Sequence, residues 1–260
     1  MMYRLYIRIL SKNIKVITNS KVLKNLIKYS LAIKKPVNRN PSLILPLMLK
    51  KPDDFQESID IFTKFIKKIC SGINNDYIFL HAAAFSFKNK ATILLGQAES
   101  GKSTLLLSSA LCGSKVISDE PVLIEVNNGA VLPFIYLIKI AQPKEKIYNF
   151  LYMNISDIKN DIIKFKDYNL IFFKKEVMEK LGIGFEKKKV PLKNIIFLEK
   201  KKYDPLIHLA KYCLNYKGHQ FTLLKLLKNI THKKNIIFLD KPLDIIKNKQ
   251  AVIDFISYLN

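Results

Sequence analysis

The sequence predicts an α/β fold, and three observations carry the prediction. Short apolar segments rich in β-branched residues, such as "ATILL" (91–95) and "NIIFLEK" (194–200), alternate with segments of helical period. Hydrophobic residues make up 49% of the 260, enough to bury a sizeable core and to argue against wholesale disorder. A strand, a glycine-bearing loop and a helix follow one another without interruption at 91–113.

Read in order, residues 3–18 alternate as one or two strands, "YRLYIRI" and "IKVIT". Asn19-Ser20 is placed to cap a helix over about 21–33. "KKPVNRNPSLILP" carries three prolines and reads as irregular linker. Pro52-Asp53-Asp54 opens a helix over about 54–72 with Phe55, Ile59, Phe62, Phe65, Ile66 and Ile69 on one face. Residues 1–75 are therefore expected to form a small N-terminal α/β lobe, and 76–260 a nucleotide-binding domain. "YIFLHAAAFSF" and "ATILLG" read as two strands joined by a tight turn at Lys88-Asn89-Lys90. A helix from about Lys102 to Cys112 stops at Gly113. "KVISDE" and "VLIEVNNGAVLPF" supply further strands, with Asn128-Gly129 as a turn. Beyond the Lys-rich stretch 143–190 come a short helix near 174–181, the strand 194–200, helices in "PLIHLAKYCLN" and "FTLLKLLKNI", a strand at 235–239 and a closing helix from about 246.

The formal net charge is +23. A charge of that size can mark an anionic partner. The distribution favours a compositional origin instead. Arg occurs only at Arg4, Arg8 and Arg39, the Lys residues are spread along the chain, and Lys, Ile and Asn share AT-rich codons. A nucleic-acid reader would concentrate Arg on one stripe, so nucleic acid is not the expected partner. Cys70, Cys112 and Cys213 form no C-x-x-C pair, which argues against a disulfide framework or a structural zinc and fits a reducing cytoplasm. No signal-peptide pattern opens the chain, and "SLILPLML" (42–49) is too short to span a bilayer.

Gly96-Gln97-Ala98-Glu99-Ser100-Gly101-Lys102-Ser103 fits G-x-x-x-x-G-K-[ST]. In that pattern the glycines let backbone N–H groups turn inward around phosphate oxygens. Lys102 sets a cation on the β and γ phosphates, and Ser103 offers a hydroxyl to Mg²⁺. With Thr104 in the first helical turn, these residues are the expected binding set for ATP and Mg²⁺. The positive end of the following helix points at the same place. Glu99, a carboxylate beside a polyphosphate, is expected to face solvent and is given no chemical role. Phosphoryl transfer also needs metal held opposite the loop and a proton acceptor. Asp119-Glu120, ending the apolar strand in "KVISDEPVLIE", is the candidate; the plainer alternative is a pair of turn residues before Pro121. His81, within an apolar strand pattern, reads by itself as a packed core histidine.

Three elements, "LHAAAF", "GQAESGKSTL" and "GSKVISDEPVLI", resemble in order and spacing the catalytic domain of bacterial HPr kinase/phosphorylase and the HPr-kinase-like proteins around it. The close match covers about residues 77–140. The resemblance implies a P-loop-containing mixed sheet of the phosphoenolpyruvate carboxykinase type and ATP-dependent phosphorylation of a hydroxyl. It also implies roles: Asp119 as general base, His81 beside Asp119 tuning it, and Glu120 towards Mg²⁺ with Ser103 and Asp119. True HPr kinases continue Lys-Ser-Glu-Thr where this chain has Lys102-Ser103-Thr104-Leu105, and they carry Asp where it has Glu120. No Arg follows Arg39, so a positive partner for the transition state must be a Lys such as Lys139, or be absent. HPr is therefore not carried over as substrate. Shorter relatives that act on peptides or on free serine are the nearer comparison, and the group's hexamers imply self-association by resemblance alone.

The expected function is a cytoplasmic kinase moving the γ-phosphoryl of ATP to a Ser-type hydroxyl on a peptide, protein or small molecule. The alternative is a non-catalytic ATP-binding module that escorts or regulates a partner. A transporter ATPase is disfavoured, because Leu-Ser-Gly-Gly-Gln is absent.

Overall fold

Alternate apolar residues make residues 3–18 a hairpin with one dry face. β1 (Tyr3–Ile9) and β2 (Lys12–Thr18) pair antiparallel, and Leu5, Ile7, Ile9, Ile14 and Val16 are all buried. The structure is a computed structural model that describes residues 1–10, 12–31, 41–72, 76–141, 163–165, 170–173, 175–199, 204–214, 228, 235–246 and 248–259. It contains two compact units, Met1–Ile73 and Asn74–Asn260.

In the first unit, Ser20 caps α1 (Lys21–Ser30) by accepting from the Leu23 amide. Residues 43–46, expected as the end of the linker, instead lie in the strand β3 (Leu43–Leu47), parallel to β2. The prolines misled because Pro46 lacks only a donor. On β3, the outer strand of the order β1-β2-β3, that loss is tolerated. The Asn19 side chain clamps the exit of β3 with two bonds to Leu49, donating to its carbonyl at 2.8 Å and accepting from its amide at 2.9 Å. α2 (Phe55–Gly72) buries Phe62, Phe65, Ile66 and Ile69, as its helical period requires; the Phe55 side chain lies outside the described set.

The second unit is a mixed α/β structure on a curled nine-stranded sheet. Its strands are β4 (Tyr77–Leu80), β5 (Ala82–Phe87), β6 (Lys90–Leu95), β7 (Lys115–Asp119), β8 (Val122–Glu125), β9 (Ala130–Leu132), β13 (Gly184–Phe185), β14 (Val190–Phe197) and β15 (Asn235–Phe238). The order is β13-β7-β5-β6-β14-β9-β8-β4, and β15 pairs β14. A small antiparallel sheet carries β10 (Ile138–Ala141), β11 (Ile163–Phe165) and β12 (Leu170–Phe173), with the Lys139 side chain outside the described set. Lys88 and Asn89, at φ 47° and 60°, make the turn between β5 and β6. Gly113, at φ 97°, stops the helix α3 (Lys102–Leu111). Further helices span Lys175–Lys180, Pro205–Lys211, Pro242–Ile245 and Lys249–Tyr258. The helix expected in "FTLLKLLKNI" falls outside the described residues, apart from residue 228.

The run "YIFLHAAAFSF", expected as one strand, is two. β4 and β5 are separated at His81, and β7 and β8 are separated at Glu120-Pro121. The breaks face each other. Leu80 is opposite Val122 on one side of them, and Ala83 is opposite Asp119 on the other. Between these pairs the Glu120 amide still bonds the Ala82 carbonyl, and the side chains of His81 and Glu120 meet near the edge where β6 also ends. Leu80, Ala82, Ile93, Leu95, Ile117, Val122, Ile195 and Phe197 are buried together in one hydrophobic cluster. No described helix is long and apolar enough to cross a membrane.

Candidate functional site

β6, β7, β14 and β15 all run in one direction, so their carboxyl ends share one edge of the sheet. Gly96 follows β6, Asp119 ends β7, and Leu198 and Glu199 follow β14. His81 enters the antiparallel β5 at the same edge.

The loop after β6 is closed tightly on itself. A Cβ at Gly96 would fall on Ser100 Oγ and lie 3.2 Å from Leu198 Cβ, so only glycine fits there. The Ser100 amide donates to the Gln97 carbonyl at 3.2 Å, and Gly101 enters α3 at φ 91°. Gln97, Ala98 and Glu99 are exposed, and Glu99 turns at φ 64°. Ser100 Oγ is buried without a hydrogen-bond partner among the described residues. An orphaned hydroxyl inside such a loop suits an incoming acceptor oxygen.

Lys102 is 4% exposed. Its Nζ donates to the Gly96 carbonyl at 2.9 Å and the Gln97 carbonyl at 2.8 Å, and it lies 3.3 Å from Glu120 Oε1. A buried ammonium needs such hydrogen-bond acceptors, and a phosphate oxygen is an acceptor of the same kind. Ser103, in the first turn of α3 with Thr104, donates from Oγ to Asp119 Oδ1 at 3.1 Å. Asp119 is itself buried at 4% exposure, and its backbone is fixed by an amide bond to the Ile135 carbonyl at 2.9 Å. Glu120 sits at φ 34° with its amide on the Ala82 carbonyl at 3.0 Å. His81 Nε2 lies 3.3 Å from Glu120 Oε1.

The residues expected at the site thus meet at this edge, with Ser103 on Asp119 and both His81 and Lys102 beside Glu120. Asp119 is the partner of Ser103. Glu120, set one residue beyond the strand at the break, is the partner of both His81 and Lys102. The reason is strand alternation: Asp119 is the last residue in register with β5, whereas Glu120, one step on, bonds its amide to the Ala82 carbonyl and meets His81 through its side chain.

The donor set fits Mg²⁺ bound with ATP. Ser103 and Asp119 offer two hard oxygens, and Mg²⁺ keeps several waters and phosphate oxygens rather than filling an all-protein cage. Among the described residues no group of three or more His, Cys, Asp and Glu could hold a metal, which argues against such a cage.

Sequence reasoning missed one cluster at the same edge. Glu199 Oε1 lies 2.8 Å from His208 Nδ1 and accepts from the Tyr212 hydroxyl at 3.1 Å. His208 and Tyr212 are buried, 3% and 4% exposed, and His208 is wedged beside the rings of Phe197 and Phe238. Burial, then the Glu199 charge, pushes the Tyr212 hydroxyl well above its ordinary pKa, so it stays a donor. The signal was available: "NIIFLEK" ends an apolar strand in a carboxylate, as "KVISDE" does.

No protein-family model matches the chain, and no curated protein matches it. Among solved structures, the HPr(Ser) kinase/phosphatase from Coxiella burnetii is similar at 16% identity with a TM-score of 0.28. The match covers 49% of this chain and 66% of that one, just under two thirds of its length.

Proposed function

We propose that residues 76–260 form a P-loop nucleotide-binding domain of the phosphoenolpyruvate carboxykinase type, carrying residues 1–75 as a lobe, and that the chain is an ATP-dependent kinase acting on a hydroxyl. One observation carries the reading. Ser103 and Asp119 come from a helix start and a strand end yet hydrogen-bond at 3.1 Å, beside a Lys102 buried among loop carbonyls. A plain α/β turn has no need of a buried lysine, a hydroxyl and a carboxylate converging on one loop.

MgATP would supply the γ-phosphoryl group and neutralise part of its charge. The loop amides from Gln97 to Ser103 would bind the phosphate chain, Lys102 would supply a cation to the β and γ oxygens, and Ser103 with Asp119 would hold the metal side. The acceptor hydroxyl attacks the γ-phosphorus as the bond to the β-γ bridging oxygen breaks, and its proton passes to a carboxylate. Glu120 is assigned that task, with His81 beside it. Asp119, which accepts from Ser103, takes the metal side and is the second carboxylate that could receive the proton. The acceptor is a Ser-type hydroxyl.

The test is transfer of label from γ-labelled ATP with Mg²⁺ to free serine, HPr and short Ser-bearing peptides. Transfer is expected in the wild type. Glu120→Gln should lose it by ~10²- to 10⁴-fold while ATP still binds, and His81→Ala should slow it less. Loss in Asp119→Asn through weakened MgATP binding, with Glu120→Gln fully active, would reject the assignment of Glu120. ATP bound but never transferred would reject the kinase in favour of the second reading, an ATP-binding module that escorts or regulates a partner. Departures from the HPr-kinase pattern at Glu120 and after Ser103 favour that reading.

A further inference from the structure

β1 carries Arg4, Tyr6 and Arg8 at alternate positions, so all three project from one face of the β1-β2-β3 sheet. The opposite face is the dry one, where Leu5, Ile7 and Ile9 are buried and α1 packs. Lys15 on β2 is the register partner of Tyr6, and Ile44 on β3 is the partner of Lys15. Tyr6 is 42% exposed, and Arg4 and Ile44 are exposed with it. The outer face is therefore an open platform with three cations around one aromatic ring.

Nothing acidic shares it. Residues 1–73 hold twelve Lys and three Arg against four acids, and those four, Asp53, Asp54, Glu57 and Asp60, all lie around the start of α2. Among the described residues neither Arg4 nor Arg8 makes an ion pair. Codon composition accounts for Lys spread over the whole chain. It does not account for Arg, which supplies three of 44 basic residues and places two of the three on this face, one on each side of the ring. The Arg stripe that marks a nucleic-acid reader is thus absent from the chain at large and present on one pleated strand. Guanidinium groups bind phosphate with two N–H donors and stack on planar rings, whereas a diffuse anionic surface, such as a lipid headgroup layer, is met as well by Lys.

Side chains two residues apart on a strand stand about 7 Å from one another. A single strand of nucleic acid laid along β1 would meet cation, ring and cation in turn, which suits phosphate, base and phosphate. Lys15 Nζ lies over the Tyr6 ring at 5.5 Å. Such a contact is weak at an exposed site, so a stacking base can displace the ammonium towards a phosphate. A duplex is the poorer complement, because its bases are already stacked on each other and a flat sheet face does not enter its grooves. An acidic protein segment would match the charge and leave the ring without a role.

We propose that the outer face of the β1-β2-β3 sheet binds single-stranded nucleic acid, with a base stacked on Tyr6 and backbone phosphates on Arg4, Arg8 and Lys15. The platform stands on residues 3–47 and does not depend on the kinase reading.

The test is fluorescence anisotropy of labelled oligo(U) and oligo(dT), each of about ten nucleotides, with the full-length protein. The chain's net positive charge attracts any polyanion, so the informative variants keep that charge. Tyr6→Ala should weaken binding at least ~10-fold, and Tyr6→Phe should restore it, which separates the ring from the fold. Arg4→Lys with Arg8→Lys should cost several-fold at constant charge. Arg4→Ala with Arg8→Ala should lower the slope of log affinity against log salt by about 1.4. Lys64→Ala with Lys67→Ala, which removes two exposed cations from α2, should cost less than the Arg pair. A preference for oligo(U) or for oligo(dT) names the sugar, and either supports the platform. Wild-type affinity in Tyr6→Ala overturns it, as does a duplex of the same length bound equally well. Displacement of the oligonucleotide by poly-glutamate or by phosphatidylserine vesicles as readily as by unlabelled oligonucleotide also overturns it, in favour of an acidic protein or a membrane surface.

Discussion

Ser103 Oγ donates to Asp119 Oδ1 at 3.1 Å, across 16 residues of sequence and between two different elements. α3 carries the hydroxyl in its first turn, and β7 delivers the carboxylate from its last residue. The helix packs on β5, which pairs with β7, so the pair is fixed by the core and not by the loop.

That geometry gives a direct expectation for the metal side. Asp119→Asn keeps the shape and removes the charge, so MgATP affinity should fall ~10- to 100-fold. Affinity for ATP without Mg²⁺ should change much less. Titration calorimetry with and without Mg²⁺ separates the two; equal losses in both would remove Asp119 from the metal side.

The loop itself makes a steric prediction. In Gly96→Ala the new methyl must displace Ser100 or Leu198, so the loop opens and ATP binding is lost. The strain is worth ~1–3 kcal/mol. Lys102→Ala should weaken ATP binding for a different reason, loss of the phosphate cation. A thermal melt distinguishes them: the lysine variant should gain or lose little, because it removes a desolvated charge together with its contacts.

Glu125 offers a pH test away from the site. Its carboxylate accepts from Lys189 Nζ at 2.8 Å and from the Asn128 side chain, tying β8 to the segment before β14. Lys189 foremost, against opposing desolvation and with help from Asn128, holds its pKa below the ordinary 4.5. A folded-state pKa lowered in this way adds stability that is present above the unfolded value and lost as pH falls through the folded one. The Tm gap between wild type and Glu125→Gln should therefore be full at neutral pH, where it reflects ~0.5 kcal/mol, and should close below about pH 4.5. A gap that grows on acidification would contradict the assignment.

Asn194 is the buried polar knot of the parallel strands. Its Nδ2 donates to Thr92 Oγ1 on β6 at 3.1 Å and to the Leu259 carbonyl at 3.0 Å, and its Oδ1 accepts from Asn235 Nδ2 on β15 at 3.1 Å. Asn194→Leu leaves those partners unsatisfied, and ~1–3 kcal/mol of stability should be lost. Denaturant unfolding would measure it; an unchanged midpoint would mean that water replaces the amide.

Much of this was legible one residue at a time. The glycine loop, the lysine and the serine share a strand-loop-helix unit, and their spacing is set by local geometry, so the motif could be read directly. Ser20 as a helix cap and Gly113 as a helix stop were legible for the same reason, since each answers a need of its own neighbours. β3 was not, because Pro46 signals a break unless the strand is known to lie at an edge, and edges are set by which strands pair. The partnering of Asp119 and Glu120 was out of reach too. One step along a strand reverses the side-chain direction, and only the register against β5 says which acid faces Ser103 and which falls into the break opposite His81.

Sequence alone settled which chemical groups the chain owns and where short-range rules confine them: alternation for strands, a 3.6-residue period for helices, a glycine loop before a helix. What folding added is juxtaposition. Glu199, His208 and Tyr212 are spread over 14 positions of sequence, and His81 and Glu120 are 39 apart. Their meetings depend on how the sheet curls and where two long strands break, which is decided by the packing of the whole core and by no local signal.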